Sequence, residues 1–86
     1  MSKEVYLLAF IRRSKRRQDI LKLLLNQNYT VVDITKQTGM YKSHVSRSLS
    51  ELKERNLVKC LNPKDRAYRY YKITKKGREI ISKLNL

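Results

Sequence analysis

The stretch Thr30-VVDITKQTGMYKSHVSRSLSELKER-Asn56 decides how this chain folds. Its second half, Tyr41 to Arg55, is amphipathic at helical spacing. With Val45 at zero and about 100° per residue, Val45, Leu49 and Leu52 fall within roughly 60° of one another, a stripe that must face a core. Ser43, Arg47, Ser50 and Glu54 lie on the opposite side, with Ser46 and Lys53 on one flank and His44 and Glu51 on the other. The first half, residues 30–38, begins at Thr30, whose hydroxyl can cap free amides. Asp33, three residues on, can reach back in a capping-box variant. Val31, Ile34 and Thr38 give this segment a short apolar side, so it packs on the next helix rather than standing in solvent. Gly39 supplies the positive φ of a tight turn between crossing helices. A capped short helix, a glycine turn and a longer amphipathic helix make a helix-turn-helix.

The outward face of 41–55 is rich in small hydroxyls and cations. Ser43, Ser46 and Ser50 keep that face slim enough to approach base edges, and Arg47 has the two-armed donor geometry that fits guanine O6 and N7. Lys42, Lys53 and His44 complete the candidate set on this helix. An ordinary solvated helix face satisfies the same pattern taken alone. His44 either donates to a phosphate or base or is merely solvated.

Asn56 suits the left-handed position that closes a helix, and Leu57 to Leu61 is rich in β-formers. Asn62-Pro63-Lys64-Asp65 reads as a turn, because Pro presets one dihedral and Asn and Asp hydrogen-bond local backbone. Tyr68 to Ile73 gives a second strand, so residues 57–73 are expected to form a two-stranded hairpin whose basic tip carries Lys64 and Arg66. Alternation places Arg69, Tyr71 and Ile73 on one face and Tyr68, Tyr70 and Lys72 on the other. Ile73 is expected to face the core, with Arg69 running past its edge.

The run Thr30 to Gly39, then Ser43 to Leu49 with Glu51-Leu52, Leu57-Val58, Tyr71 to Thr74 and Lys76-Gly77, resembles the winged helix-turn-helix of MarR- and ArsR-type transcriptional regulators. The likeness spans Ser14 to Leu84. It implies an α+β, mainly α fold of three to five helices with a two-stranded wing, and a recognition helix at 41–55. It also implies a wing at Lys64 to Tyr68 touching phosphate or minor groove, and action as a homodimer. The chain lacks the long terminal helices of typical MarR proteins and the paired cysteines of metal-sensing ArsR relatives. No small-molecule effector or cofactor is evident.

Composition agrees with a nucleic-acid partner. The 86 residues carry 21 Lys and Arg against 7 Asp and Glu, a net charge of +14, and such a field attracts polyanions. A chain this size makes one domain with a small core. No apolar run approaches the roughly 20 residues of a spanning helix, and Arg12-Arg13 interrupt the N-terminal apolar stretch too early for a signal peptide. No membrane partner is therefore expected, and the expected location is cytoplasmic, with the nucleoid. The single cysteine, Cys60, has no partner for an internal disulfide and reads as a packed hydrophobe in its strand.

Residues 1–13 are expected to include a helix. From 3 to 12 it holds Val5, Tyr6, Leu7, Leu8, Phe10 and Ile11, too apolar all round to stand alone. Its surface must fold on the domain's own core or contact a second copy. Ser14 caps a helix over 14–27 in which Ile20, Leu21, Leu24 and Leu25 face inward. Lys15, Arg16 and Arg17 occupy its first turn, where cations oppose the helix dipole at a few tenths of a kcal/mol each. Phosphate contact would account for them, as would a merely solvated basic end. Thr74 caps a last helix over 74–85, with Ile80, Ile81 and Leu84 as its apolar side. There the family pattern implies Ile81 or Leu84 as a contact to the N-terminal helix of a second subunit and Ile80 as inward, the pattern alone leaving open which does which. Gly77 costs about 1 kcal/mol in a helix unless close backbone approach requires it.

Catalysis finds little support. There is one histidine, no Cys-His grouping with metal-ligand spacing, no glycine-rich phosphate loop and no carboxylate pair placed for acid–base work. Two readings from different classes are left. One is a dimeric, sequence-specific regulator of double-stranded DNA with recognition helices in successive major grooves about 34 Å apart. Its DNA-binding candidates are those on the recognition helix, Lys64, Arg66, Tyr68 and Arg69 on the wing, and Lys15, Arg16 and Arg17. The other is a winged-helix protein–protein adaptor or nonspecific nucleic-acid-binding module of the transcription or RNA machinery.

Overall fold

Hydroxyl side chains start three of the helices. Ser14 Oγ accepts from the Arg17 amide, Thr30 Oγ1 from Asp33 and Thr74 Oγ1 from Gly77. At Thr30 the box closes, with the Asp33 carboxylate accepting from the Thr30 amide at 3.3 Å. These caps satisfy first-turn amides that have no helical partner. In a computed structural model describing residues 3–84 they open α2 (Lys15–Leu24), α3 (Val31–Thr38) and α5 (Lys75–Lys83). The remaining helices are α1 (Lys3–Arg12) and α4 (Lys42–Glu54). Residues 1, 2 and 85, assigned from sequence to the terminal helices, lie outside the described residues.

The expected turn chemistry is present at both ends of the helix-turn-helix. Gly39 closes α3 at φ 74° and Asn56 follows α4 at φ 60°. The strands are β1 (Tyr29–Thr30), β2 (Val58–Cys60) and β3 (Tyr70–Ile73). They form one antiparallel sheet in the order β1-β3-β2. The hairpin expected from sequence is the β2–β3 part, with Lys59 opposite Lys72 and Cys60 opposite Tyr71. The expected two strands become three because Tyr29 and Thr30 pair with Tyr71 and Tyr70. Two residues carry no period-two signal, and Thr30 doubles as a helix cap.

The second strand also starts later than Tyr68. Side chains of the turn replace the ladder there: Asn62 Nδ2 donates to the Tyr68 carbonyl at 2.7 Å and Asn62 Oδ1 accepts from the Tyr70 amide at 2.7 Å. Asp65 Oδ1 accepts from the amides of Ala67 and Tyr68, both at 2.9 Å. Those two bonds hold the Asp65 carboxyl below its ordinary pKa of 3.8, so it stays charged at neutral pH. Asn and Asp thereby trade strand pairing for a stiff wing tip.

One apolar core joins all five helices to the sheet. It takes Leu7, Phe10 and Ile11 from α1, Ile20, Leu21 and Leu24 from α2, Ile34 from α3, and Val45, Leu49 and Leu52 from α4. Leu57, Val58 and Ile73 seal the sheet side. Ile80, Ile81 and Leu84 are all buried as well. Ile81 and Leu84 thus do not reach a second subunit, as the sequence allowed, because they fill the core that α1 and α5 share within one chain.

Gly77 marks the tightest point of this packing. A Cβ there would stand 2.3 Å from the Leu57 carbonyl oxygen and 2.7 Å from Ile73 Cγ1. The glycine therefore exists for contact with the backbone that enters β2, not for an unusual dihedral. Gly77→Ala is expected to destabilise the domain by about 1–3 kcal/mol despite alanine's better helix propensity. In a domain this small that lowers the thermal midpoint by about 4–8 °C per kcal/mol. A midpoint at or above wild type would show that the Leu57 carbonyl gives way freely.

Candidate nucleic-acid interface

Burial fixes the rotation of α4. Val45, Ser48, Leu49 and Leu52 are buried, so Lys42, Ser43, Ser46, Arg47 and Ser50 are all exposed on the other side. Each flank of that exposed ridge is a cleft. Toward the wing, a cleft of about 250 Å³ is lined by Lys42, Ser46 and Ser50 of α4 and by Arg66, Arg69 and Tyr71 across from them. Val31, Val32 and Ala67 complete its walls. Toward α2, a second cleft of about 180 Å³ is lined by Arg16, Arg17, His44, Arg47, Ser48 and Glu51, with Ser14 at its edge. Residues distant in sequence thus put cations on both sides of one projecting helix.

The start of α4 differs from those of the three capped helices. Its N-cap is Tyr41, which makes no side-chain capping bond and is 77% exposed. First-turn amides without a cap suit an external anion such as phosphate. Tyr41 packs edge-on against His44 with ring centroids 5.6 Å apart. Sequence reading passed over Tyr41. The signal was available: a position where Ser, Thr, Asp or Asn is usual holds a side chain with no acceptor in reach of the helix amides.

The three cations at the start of α2 have different fates. Lys15 pairs with Asp19, one turn on, with its side chain 84% exposed, and lines a third cleft with Arg13, Arg16, Thr38 and Met40. Arg16 is exposed and borders both clefts near α2. Arg17 is turned inward. It donates to the Phe10 carbonyl at 2.8 Å and to Glu51 at 3.1 Å, and its guanidinium carbon lies 3.7 Å from the centre of the Phe10 ring. Tertiary contacts, invisible to a local reading, therefore explain Arg17.

A second guanidinium completes this joint. Arg55 lies 3.9 Å from the same Phe10 ring, donates to the Glu51 carbonyl at 3.1 Å and to the Tyr6 hydroxyl at 3.2 Å. That bond and the adjacent charge lower the Tyr6 pKa. The Nε atoms of Arg17 and Arg55 are buried without a hydrogen-bond partner, so ring stacking and the terminal nitrogens carry the interaction. The cluster ties α1 and α2 to the C-terminal half of α4.

On the wing, Lys64, Arg66, Tyr68 and Arg69 are exposed. Arg69 spends one nitrogen on the Asp65 carbonyl at 2.8 Å. Arg66 and Arg69 reach the cleft beside α4, whereas Lys64 and Tyr68 line none of the clefts described and stand at the tip. Lys53, also exposed, lies on the last turn of α4, outside both clefts.

The sequence profile described as "Bacterial regulatory protein, arsR family" matches residues 14–59. No curated protein sequence matches the chain. Among solved structures, the transcriptional regulator BldR from Sulfolobus solfataricus is similar at a TM-score of 0.75 and 25% identity, covering 84% of this chain and 52% of BldR. The chain thus spans about half the length of that relative. HlyU from Vibrio cholerae N16961 superposes with a TM-score of 0.79 at 22% identity, over 99% of this chain and 95% of HlyU. A MarR mutant from E. coli complexed with operator DNA gives 0.76 at 21% identity, over 91% and 57% of the two chains. At those identities HlyU and MarR bear on the fold alone. The matched profile covers the helix-turn-helix, α2 and the entry into the wing, more than half of the 86 residues, and the chain belongs to the ArsR family of bacterial regulatory proteins.

Proposed function

We propose that this chain is a sequence-specific regulator that binds double-stranded DNA, with α4 in the major groove and the wing on phosphate or minor groove. The observation that carries this reading is the projecting face of α4, hydroxyl-rich, centred on Arg47 and set between two clefts lined by cations. Family membership supports it, as does BldR, a transcriptional regulator. Ser43, Ser46, Arg47 and Ser50 face bases, and Lys42 and the open amides behind Tyr41 meet phosphate. Lys15, Arg16 and His44 take phosphates on one side of the helix, and Lys64, Arg66, Tyr68 and Arg69 on the other, with Lys53 at the margin. Arg17 acts from behind, holding Glu51 of α4 rather than touching DNA. Arg47→Ala should cost about 1–3 kcal/mol on the preferred site and relax preference at one base pair. Lys64→Ala should weaken binding alike on every sequence. Equal losses from both changes on all sequences would remove Arg47 from base reading and favour nonspecific binding.

The regulator acts as a homodimer through α1 in this reading. Val5 is 49% and Tyr6 51% exposed, and Val5, Leu8, Ala9 and Arg12 border a mostly apolar groove. An apolar strip on so small a domain suits a second copy. Replacing Val5 and Leu8 with Asp, which leaves the buried Phe10 untouched, is expected to halve the mass measured by sedimentation. An unchanged mass would place the dimer contact elsewhere or remove it.

A further inference from the structure

The wing has a second charged face that α4 does not share. Tyr71 and Ile73 of β3 point toward α4 and the core: Ile73 is buried and Tyr71 lines the cleft beside α4. Side chains alternate across a strand, so Tyr70 and Lys72 point the other way, as does Lys59 on β2. Lys59 and Lys72 are directly opposite in register and both exposed. Their Cβ atoms are therefore about 5 Å apart, and like charges at that spacing destabilise a sheet. Neither forms an ion pair among the described residues.

The surrounding sequence offers these lysines few carboxylates. Lys75 and Lys76 begin α5, where cations oppose the helix dipole. From Lys59 to Arg78 every charged side chain is a cation except Asp65, whose carboxylate is occupied by wing amides. Glu79, one turn beyond Lys75, makes no ion pair with it. Protection of a sheet edge by lysine would account for Lys59, since β2 is an edge strand. It does not account for Lys72, since β3 is the central strand.

We infer that Lys59, Lys72 and Tyr70 form a second phosphate-binding strip, which holds the backbone of duplex DNA on the side of the wing turned away from α4. This rests on the DNA-binding reading and extends it. The strip cannot serve the phosphates beneath α4, because it occupies the opposite face of the same strand. Its ligand is either DNA flanking the site, bent around the wing, or a separate duplex. The Tyr70 hydroxyl and the paired ammonium groups supply donors without base selectivity, as a backbone contact requires.

The test compares wild type with Lys59→Thr/Lys72→Thr, and with Lys72→Thr alone, which keeps the lysine on the edge strand. Binding is measured against salt on duplexes of about 12 and about 30 base pairs, one and three helical turns, together with sedimentation stoichiometry. For flanking DNA, the double variant lowers the salt slope by about 2 on the long duplex and leaves it unchanged on the short one. For a separate duplex, wild type carries two short duplexes per recognition helix and the double variant one. In either case Lys72→Thr alone gives about half of the effect and Lys59→Arg/Lys72→Arg restores it. Wild-type slopes and stoichiometry in both threonine variants would overturn the strip while leaving α4 as the reader. Failure of the wild-type protein to bind either duplex would instead overturn the parent reading.

Discussion

Burial of the Val45, Leu49 and Leu52 side of α4 sets the orientation of the helix and, through it, what the domain presents to solvent. Val45, Leu49 and Leu52 are each 0–1% exposed, and withdrawing any of them from the core costs a few kcal/mol. The helix therefore cannot rotate. With its rotation fixed, Arg47 and the serines have no alternative to solvent. The same stripe that stabilises the fold aims the residues assigned to DNA.

Two further features hold that aim. The Phe10–Arg17–Arg55–Glu51 cluster ties the later part of α4 to α1 and α2 through stacking and charge-assisted bonds. Cation–aromatic contacts gain strength when desolvated, and the side chain of Arg17 is 17% exposed. At the other end of α4 the contrast in capping matters. Ser14, Thr30 and Thr74 close their helices internally, while Tyr41 gives α4 no side-chain cap: its carbonyl takes the His44 amide at 3.0 Å and the amides of Lys42 and Ser43 stay open. A helix whose rear is clamped and whose front is uncapped is rigid and still has donors to offer an anion.

Local chemistry made much of this legible from sequence. The capping box at Thr30 and Asp33, the positive φ of Gly39 and Asn56, and the buried stripe of α4 each follow from neighbouring residues. Gly77 was recognisable as a costly choice, but its reason, the Leu57 carbonyl, comes from a distant segment. The same limit explains the other differences. β1 is two residues long and gains strand character only from pairing with β3. Arg17 was grouped with Lys15 and Arg16 because the three are adjacent in sequence, whereas Glu51 and Phe10 meet it only after folding. Ile81 and Leu84 were open to a second subunit until α1 covered them. Sequence could propose the candidate residues but not their arrangement: the two clefts flanking α4 arise from packing α2 and the wing on either side of it.

Base reading by α4 is best tested by selecting bound duplexes from a random library at about 150 mM salt, where phosphate attraction is already much weakened. Two copies of α4 in successive major grooves should enrich a two-fold symmetric motif with half-sites about ten base pairs apart. Enrichment of no motif at all would contradict base reading and leave the basic surface as a nonspecific binder.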